Sequence, residues 1–214
     1  MSKTETTRSV LFELNGGHPA LDFVNTLDNR FRADGPAELL ESYADLLRFV
    51  QQSSLLSVQQ TRLLAGAVTK DAAVRALQSA RELREAMAAT LYSALDGRAP
   101  AAALIRTLER YFLSANRHRQ LRWAHSSKQS PKLLGADWVW GHGETDVELP
   151  VWVLAQAASD LMTSHALERL RACGSETCRW LFLDTSKNHS RRWCNMKTCG
   201  NRMKARRFHA RLQA

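Results

Sequence analysis

The chain has 214 residues and a hydrophobic fraction of 44%, which is enough to bury a core in one large domain or in one domain with a small appendage. Its sequence holds no apolar run near the roughly 20 residues that a membrane span needs, and the polar start from Met1 to Ser9 lacks the apolar core of a secretion signal. We therefore expect a cytoplasmic protein with no membrane partner.

The formal net charge of +9 is concentrated at one end of the chain. Residues 169–214 carry 12 Lys and Arg against two acids, so this segment is +10 and residues 1–168 are −1. This asymmetry is typical of a segment that binds a polyanion, most often nucleic acid. A solubilising tail is the alternative, but the segment also holds all four cysteines and two tryptophans, which such tails usually lack.

Apolar residues recur at helical spacing through most of residues 1–168. Ahead of them, Val10 to Leu14 is predicted to form a short strand, and Asn15-Gly16-Gly17 is a turn signal that ends it. The helices are then predicted to begin at Pro19, to cover Glu38 to Gln51, to run from Ser57 to about Val68, to cover 71–95 and to run from Pro100 to about Ser114.

The pattern changes near residue 118. Gln120 to His125 and Trp138 to His142 are short aromatic-containing segments, which predict a β-hairpin with a long connection. An apolar-rich helix over about 150–171 is predicted to lead directly into the cysteines. The predicted fold class is mainly α with a small β element (α+β), with a helix-rich domain over residues 1–168, called the body below, and a separate C-terminal module over residues 169–214, called the finger.

All four cysteines lie in the finger, at Cys173, Cys178, Cys194 and Cys199. Four residues separate the members of each pair and fifteen separate the pairs, as in structural zinc sites where each pair supplies one side of a tetrahedron. Thiolates favour zinc, and four of them leave no coordination position for catalysis. We therefore predict one structural zinc ion.

Other interpretations of the cysteines carry less weight. Disulfides need an oxidising compartment, which the absence of a secretion signal disfavours. Redox chemistry and chance clustering of free cysteines stay open. His189 lies between the two pairs and could replace one thiolate, but a position in the loop is favoured because four thiolates complete the shell.

The residues around the cysteines predict a treble-clef arrangement. Trp180 to Leu183 is an apolar run suited to a hairpin strand over the metal, and a helix follows Cys199. At helical spacing this helix has an apolar face formed by Ala205, Phe208 and Leu212, and a basic face formed by Lys204, Arg207 and Arg211, with Arg202 and Arg206 nearby.

The segment Cys194-Asn195-Met196-Lys197-Thr198-Cys199-Gly200-Asn201-Arg202, preceded by Leu183-Asp184-Thr185-Ser186 and Arg191-Arg192-Trp193, resembles the CGNR zinc finger. The stretch Gly17-His18-Pro19-Ala20-Leu21-Asp22-Phe23-Val24-Asn25-Thr26 resembles the opening of the ABATE domain, which precedes CGNR fingers in proposed stress-induced transcription regulators of bacteria. The resemblance covers most of the chain. It implies that the four cysteines bind zinc and that the protein regulates transcription.

We predict that the finger binds nucleic acid, with double-stranded DNA favoured, because Lys and Arg on a rigid helix neutralise phosphates and Arg can reach guanine edges. RNA is an alternative in which Trp180 and Trp193 would stack on unpaired bases, although a core position over the zinc is favoured for both. A protein-docking role also stays open. The candidate contact residues are Arg191, Arg192, Arg202, Lys204, Arg206, Arg207 and Arg211.

One polar stripe in the body is a candidate pocket for an unknown small molecule. Asp22, Asn25, Thr26 and Asn29 lie at i, i+3, i+4 and i+7 of the first predicted helix, beside Arg30. The stripe could equally be an exposed face or an internal hydrogen-bond network with the predicted hairpin. Because the sequence has no nucleophile elbow, Walker loop, dinucleotide fingerprint or zinc-protease motif, we expect a regulator rather than an enzyme. We also expect a homodimer on DNA, because a second copy would raise the affinity of a single finger.

Overall fold

The computed structural model describes residues 11–124, 135–141 and 145–212. Seven α-helices account for about half of these residues. They are α1 (Pro19–Val24), α2 (Tyr43–Gln52), α3 (Val58–Ala67), α4 (Lys70–Leu95), α5 (Ala102–Arg117), α6 (Leu149–Met162) and α7 (Asn201–Leu212).

Short strands form three separate antiparallel pairs within the described ranges. The pairs are β1 (Leu27–Asp28) with β2 (Ala37–Glu38), β3 (Arg119–Ala124) with β4 (Gly135–Trp140), and β5 (Leu170–Ala172) with β6 (Leu181–Leu183). The fold is mainly helical with small β elements, which confirms the predicted fold class.

The helix α6 lies at the centre of the hydrophobic core. Apolar residues are buried on all its sides, from Leu149 through Leu161, which is typical of a helix surrounded by other elements. It contacts α1, α2, α4 and α5. The fully buried side chains of Phe23, Phe49 and Met87 belong to the same core.

The connection between body and finger differs from the prediction. A helix was predicted over about 150–171, but α6 ends at Met162. The Oγ of Ser164 then accepts a hydrogen bond from the Ala166 N–H at 3.2 Å and begins a 3₁₀ turn over His165–Arg169. The chain continues into β5, whose Leu170 is buried in the core of the body. The finger is therefore joined to the body through a strand of the core rather than through a continuous helix.

The predicted strand near the N-terminus is not observed. Val10 lies outside the described residues, and residues 11–14 have no regular secondary structure. The Phe12 N–H instead donates to the side-chain oxygen of Gln52 at 2.9 Å. A glutamine side chain thus takes the place of a neighbouring strand as the hydrogen-bond partner of this segment.

The first two helices are shorter than predicted. The helix α1 ends at Val24, and Leu27 pairs with Glu38 in the β1–β2 ladder. The next helix begins only at Tyr43, because Ser42 and Asp45 form a capping box there. Apolar spacing alone predicted that both helices include residues that instead form this small ladder.

Several local signals are confirmed. Ser57 caps α3, Asp96 ends α4, and a β-hairpin follows α5, with strands shifted by one to three residues from those predicted. Of the predicted hairpin ends, His125 and His142 lie outside the described residues. None of the helices in the described ranges is long and apolar enough to cross a membrane.

Candidate zinc centre and nucleic-acid interface

The first cysteine pair lies in the loop that connects β5 to β6, at the turn end of this hairpin. The Cys173 N–H donates to the Trp180 carbonyl at 2.8 Å, which extends the ladder to the first sulfur ligand. A tight turn then brings Cys178 back, with its N–H donating to the Ser175 carbonyl at 3.1 Å. Arg179 follows in the left-handed region at φ 54°, and the chain enters β6.

The second pair brackets a π-helical turn over Met196–Gly200. The side chain of Asn195 accepts the Lys197 N–H at 2.9 Å and begins this turn. Gly200 ends it, and a Cβ atom there would displace the exposed Met196 side chain, whose sulfur lies over this position. The wide turn places Cys199 beside Cys194, and α7 continues directly from it.

The four sulfurs are arranged as a tetrahedral zinc site requires. With Zn–S bonds of about 2.3 Å, the sulfurs of such a site are about 3.8 Å apart. The Cys178 and Cys194 sulfurs are 3.6 Å apart, those of Cys194 and Cys199 are 3.7 Å apart, and all four lie within 4.8 Å of one another. All four residues are buried, and none is in a disulfide. They form the site of one structural zinc ion.

The pKa values of the Cys173 and Cys178 thiols are shifted in opposite directions by their mutual hydrogen bond. Hydrogen bonds from the Cys178 and Cys194 thiols hold the pKa of the Cys173 thiol far below its usual value. The same bond to Cys173 raises the pKa of the Cys178 thiol. Zinc must displace the protons that the cluster retains, so its binding releases protons and strengthens as the pH rises.

Aromatic side chains pack around the sulfurs. Trp180 and Phe182 are buried in one cluster with the four cysteines, and Trp193 packs against that cluster. The indole N–H of Trp180 donates to the Asp28 carboxylate at 2.8 Å. The tryptophans thus have the core positions that the sequence favoured for them over base stacking.

The finger is docked on the body by buried contacts. The Asn25 side chain, at the end of α1, accepts the Leu181 N–H and donates to the Leu181 carbonyl, both at 2.9 Å. Leu181 and Leu183 of β6 are buried in the core of the body. The predicted boundary at residue 168 stays a prediction, but the two parts share one core across it.

The five residues of the predicted polar stripe have different surroundings, and three of them are buried. Asp22, Asn25 and Thr26 are each less than a tenth exposed. The Asp22 carboxylate accepts the Gly16 N–H at 2.7 Å, and burial raises the pKa of this carboxyl to about 6 despite that bond. The Thr26 hydroxyl donates to the Phe23 carbonyl at 2.7 Å and accepts from Arg84 at 3.1 Å. Each of the three is hydrogen-bonded inside the protein, but none of these bonds goes to a described residue of the β3–β4 hairpin, so the network with the hairpin that the sequence left as an alternative is not observed.

The other two members of the stripe line separate clefts. Asn29, in the left-handed region at φ 49°, lines a cleft of about 210 Å³ beside the zinc site, together with Arg202. Arg30 forms an ion pair with Glu85 and lines a second cleft of about 390 Å³, together with Arg179. The structure therefore does not bring the five residues into one pocket.

Arg191 and Arg192, the predicted nucleic-acid contacts that precede the second cysteine pair, have different surroundings. The Arg191 guanidinium donates to the carbonyls of Trp193 at 3.0 Å, Asn15 at 2.9 Å and Cys194. It also lies 4.3 Å from the centre of the Phe182 ring. Arg191 thus holds the finger together and ties it to the body, whereas Arg192 is exposed.

No residue of the helix α7 is buried. Phe208 and Leu212 of its predicted apolar face are 61% and 68% exposed, so that face packs on nothing within the described residues. The helix has no acidic residue, and none of its cations forms an ion pair with another described residue. The exposed cations are Arg202, Lys204, Arg206, Arg207 and Arg211.

Two structural residues were missed by the sequence reasoning. Asp184 is fully buried and accepts from the Ser186 hydroxyl at 2.6 Å and from the Arg191 N–H at 3.0 Å, which orders the loop between the cysteine pairs. Its Asp-x-Ser spacing is a turn signal that could have indicated this role. Arg84, 2% exposed, pairs with Glu38 at 2.6 Å. Its position four residues after Ala80 and three before Met87 places it on the apolar face of α4, which is a signal that could have distinguished it from the other arginines of that helix.

A helical body and a closed four-cysteine site followed by an exposed basic helix define the class of zinc-finger proteins with an appended helical domain. Two family models match the chain in agreement with this geometry. The model described as "CGNR zinc finger" matches residues 169–212, and the ABATE model, described as "Putative stress-induced transcription regulator", matches residues 17–165. The chain therefore belongs to the ABATE family and carries a C-terminal CGNR zinc finger. A comparison with curated proteins finds no match.

Proposed function

We propose that this protein binds double-stranded DNA through its finger and thereby regulates transcription. The observation that carries the proposal is α7, a helix with five exposed cations and no acidic residue. It begins two residues after the zinc ligand Cys199, so the metal fixes its direction. A preformed cationic helix loses little conformational entropy when it binds phosphates.

The distribution of charge around α7 fits a helix in the major groove. With 3.6 residues per turn, Arg202 and Arg206 lie on one side of the helix, and Lys204, Arg207 and Arg211 lie on roughly the opposite side. A helix in the major groove has a phosphate backbone on each side. The two sets of cations could therefore contact both strands, with Arg192 as an additional contact outside the helix.

A single finger provides a small interface, since one such module buries about 600–1,000 Å² on DNA. A second copy on a neighbouring site would raise the affinity through effective concentration. We therefore include a homodimer in the proposal. Small-molecule sensing by the body stays a prediction, for which the two clefts at Asn29 and Arg30 are the candidate sites.

The test is the affinity of the zinc-loaded full chain for random double-stranded DNA across a salt series. The triple variant Arg206→Ala, Arg207→Ala and Arg211→Ala is compared with the wild type. Each phosphate contact contributes about 0.9 to the slope of log K against log salt, so the triple variant should lower that slope by about 2.7. The matched control replaces three exposed arginines of α3 and α5, namely Arg62, Arg106 and Arg117, and should leave the slope near the wild-type value.

The same titrations separate the alternatives. Tighter binding to single-stranded RNA than to duplex DNA would favour the RNA alternative. An absence of binding to either nucleic acid at low salt would contradict the proposal and favour a protein-docking finger. Equal slopes for the α7 variant and the body control would show that binding is not located on α7.

A further inference from the structure

The β3–β4 hairpin has an apolar face that no described part of the chain covers. Side chains alternate along each strand, so Leu121 and Trp123 of β3 lie on the same face as Trp138, which is directly opposite Leu121. These three residues, called the hairpin face below, are 60%, 56% and 58% exposed. Large apolar side chains exposed together on a small element mark an interaction surface.

The hairpin face is continuous with the core of the body. Trp140, two residues after Trp138 and on the same side of β4, stacks on Trp152 with 6.5 Å between ring centres. His118, just before β3, stacks on Trp152 at 3.6 Å. The base of the hairpin is therefore anchored on α6, although an isolated two-stranded hairpin is only marginally stable in water. A contact on its outer part would stabilise it.

We propose that the hairpin face is the contact surface between two copies of this chain. This inference deepens the proposed function, because it names the surface through which a homodimer on DNA would form. It stands on the exposed apolar residues alone, and does not require that DNA be bound.

The area of the hairpin face matches what a small stable dimer needs. An aromatic side chain can bury about 150–250 Å², so the exposed parts of the two tryptophans and the leucine amount to about 350–400 Å² in each copy. Two copies would bury about 750 Å² of apolar surface. Since about 60% of an interface is apolar, the whole contact would cover about 1,250 Å², at the lower end of the range for stable complexes.

The charges favour a second copy over nucleic acid at this surface. Nucleic-acid interfaces are strongly positive, whereas Arg119, the one cation that the described strand residues place on this face, is partly buried and lies 4.9 Å from the centre of the Trp138 ring. Arg122 lies on the other face, opposite Asp137. The body as a whole carries −1, so two bodies do not repel each other strongly.

The position of the hairpin also leaves both fingers free. It is anchored at Trp152 in the first turn of α6, whereas the finger follows the far end of this helix at Met162, about 15 Å away along its axis. Pairing through the hairpin would separate the two segments of charge +10, which would otherwise repel each other.

The test is the mass of the zinc-loaded full chain in solution without DNA, by light scattering and by sedimentation equilibrium. The wild type should have twice the chain mass of 24.1 kDa at tens of micromolar. Trp138→Glu and, as an independent variant, Leu121→Ser should each weaken the dimer by about 30-fold or more, as expected for interface anchors. Leu63→Glu on α3, at a site 46% exposed, is the matched control and should dimerise as the wild type does.

A monomeric wild type at these concentrations would overturn the proposal, as would hairpin variants that are folded by circular dichroism and dimerise as tightly as Leu63→Glu. If the wild type is monomeric and Trp123→Ala weakens binding of a single-stranded oligonucleotide, the face binds nucleic acid instead. Because the mass is measured without DNA, a failure of dimerisation is distinguished from a failure of DNA binding.

Discussion

Replacing Asn25 by Ala is expected to destabilise the whole chain by about 3 kcal/mol, because this side chain clamps the finger to the body. It makes two hydrogen bonds of 2.9 Å to the main chain of Leu181, and the two residues are 3% and 0% exposed. The substitution leaves a buried N–H and a buried carbonyl without partners, and each such group costs about 1–3 kcal/mol. Water that enters the cavity left by the side chain can bond to these two groups, which brings the cost of each toward the lower part of its range.

The assay is reversible unfolding of the zinc-loaded protein by urea and by heat. A loss of about 3 kcal/mol should lower the melting temperature by about 6–12 °C for a chain of this size. Asn25→Asp keeps the acceptor but loses the donor, so it should also destabilise the protein. Asn116→Ala, at an exposed position of α5, is the control and should stay within about 0.5 kcal/mol of the wild type. An Asn25→Ala protein as stable as this control would refute the clamp.

Three further predictions concern the zinc, a buried ion pair and a buried carboxyl. Chelation of zinc, or Cys199→Ser, should lower the melting temperature of the helical signal of the whole chain, because the metal-bearing hairpin is part of the body's core. A body that melts unchanged would contradict this. Arg84→Met should cost about 2 kcal/mol, because it removes the two shorter charged hydrogen bonds of Glu38 and leaves only the longer pair with Arg81, and a change below about 1 kcal/mol in urea unfolding would count against it. Because Asp22 has a folded pKa of about 6, above its ordinary value of 3.8, its contribution to stability is present at low pH and is lost as the pH rises from about 4 to 6. Asp22→Asn should remove this pH dependence. The measurement is the free energy of unfolding of the variant and the wild type as a function of pH, and parallel curves for the two proteins would exclude the effect.

Short-range signals in the sequence predicted much of the zinc centre. Cysteine spacing identified all four ligands, because each pair of ligands lies on one short turn and is therefore separated by only a few residues. The apolar run from Trp180 to Leu183 identified the strand over the metal for the same reason. The exposed basic helix could also be predicted, since nothing in the body competes with its local preference.

Helix ends and side-chain partners were harder to predict, because they depend on residues far apart in the chain. Apolar spacing carried the last helix of the body through Ser164, where a cap and a strand of the core replace it. Asn25 and Arg191 looked like candidates for ligand and phosphate contacts, yet each is engaged by main-chain groups that lie more than 150 residues away in sequence. Polar residues of one type cannot be assigned to surface or interior without those partners.

The sequence by itself determined the class of metal site, the cationic character of the finger and the helical nature of the body. Each of these is set by residue types at fixed local spacing. Only the tertiary structure decided that the finger shares the body's core, that three residues of the polar stripe are buried, and that Leu121, Trp123 and Trp138 lie exposed on one face of a hairpin. These properties depend on which distant segments meet, and the free energy of burial that selects those contacts belongs to the whole fold rather than to any segment of it.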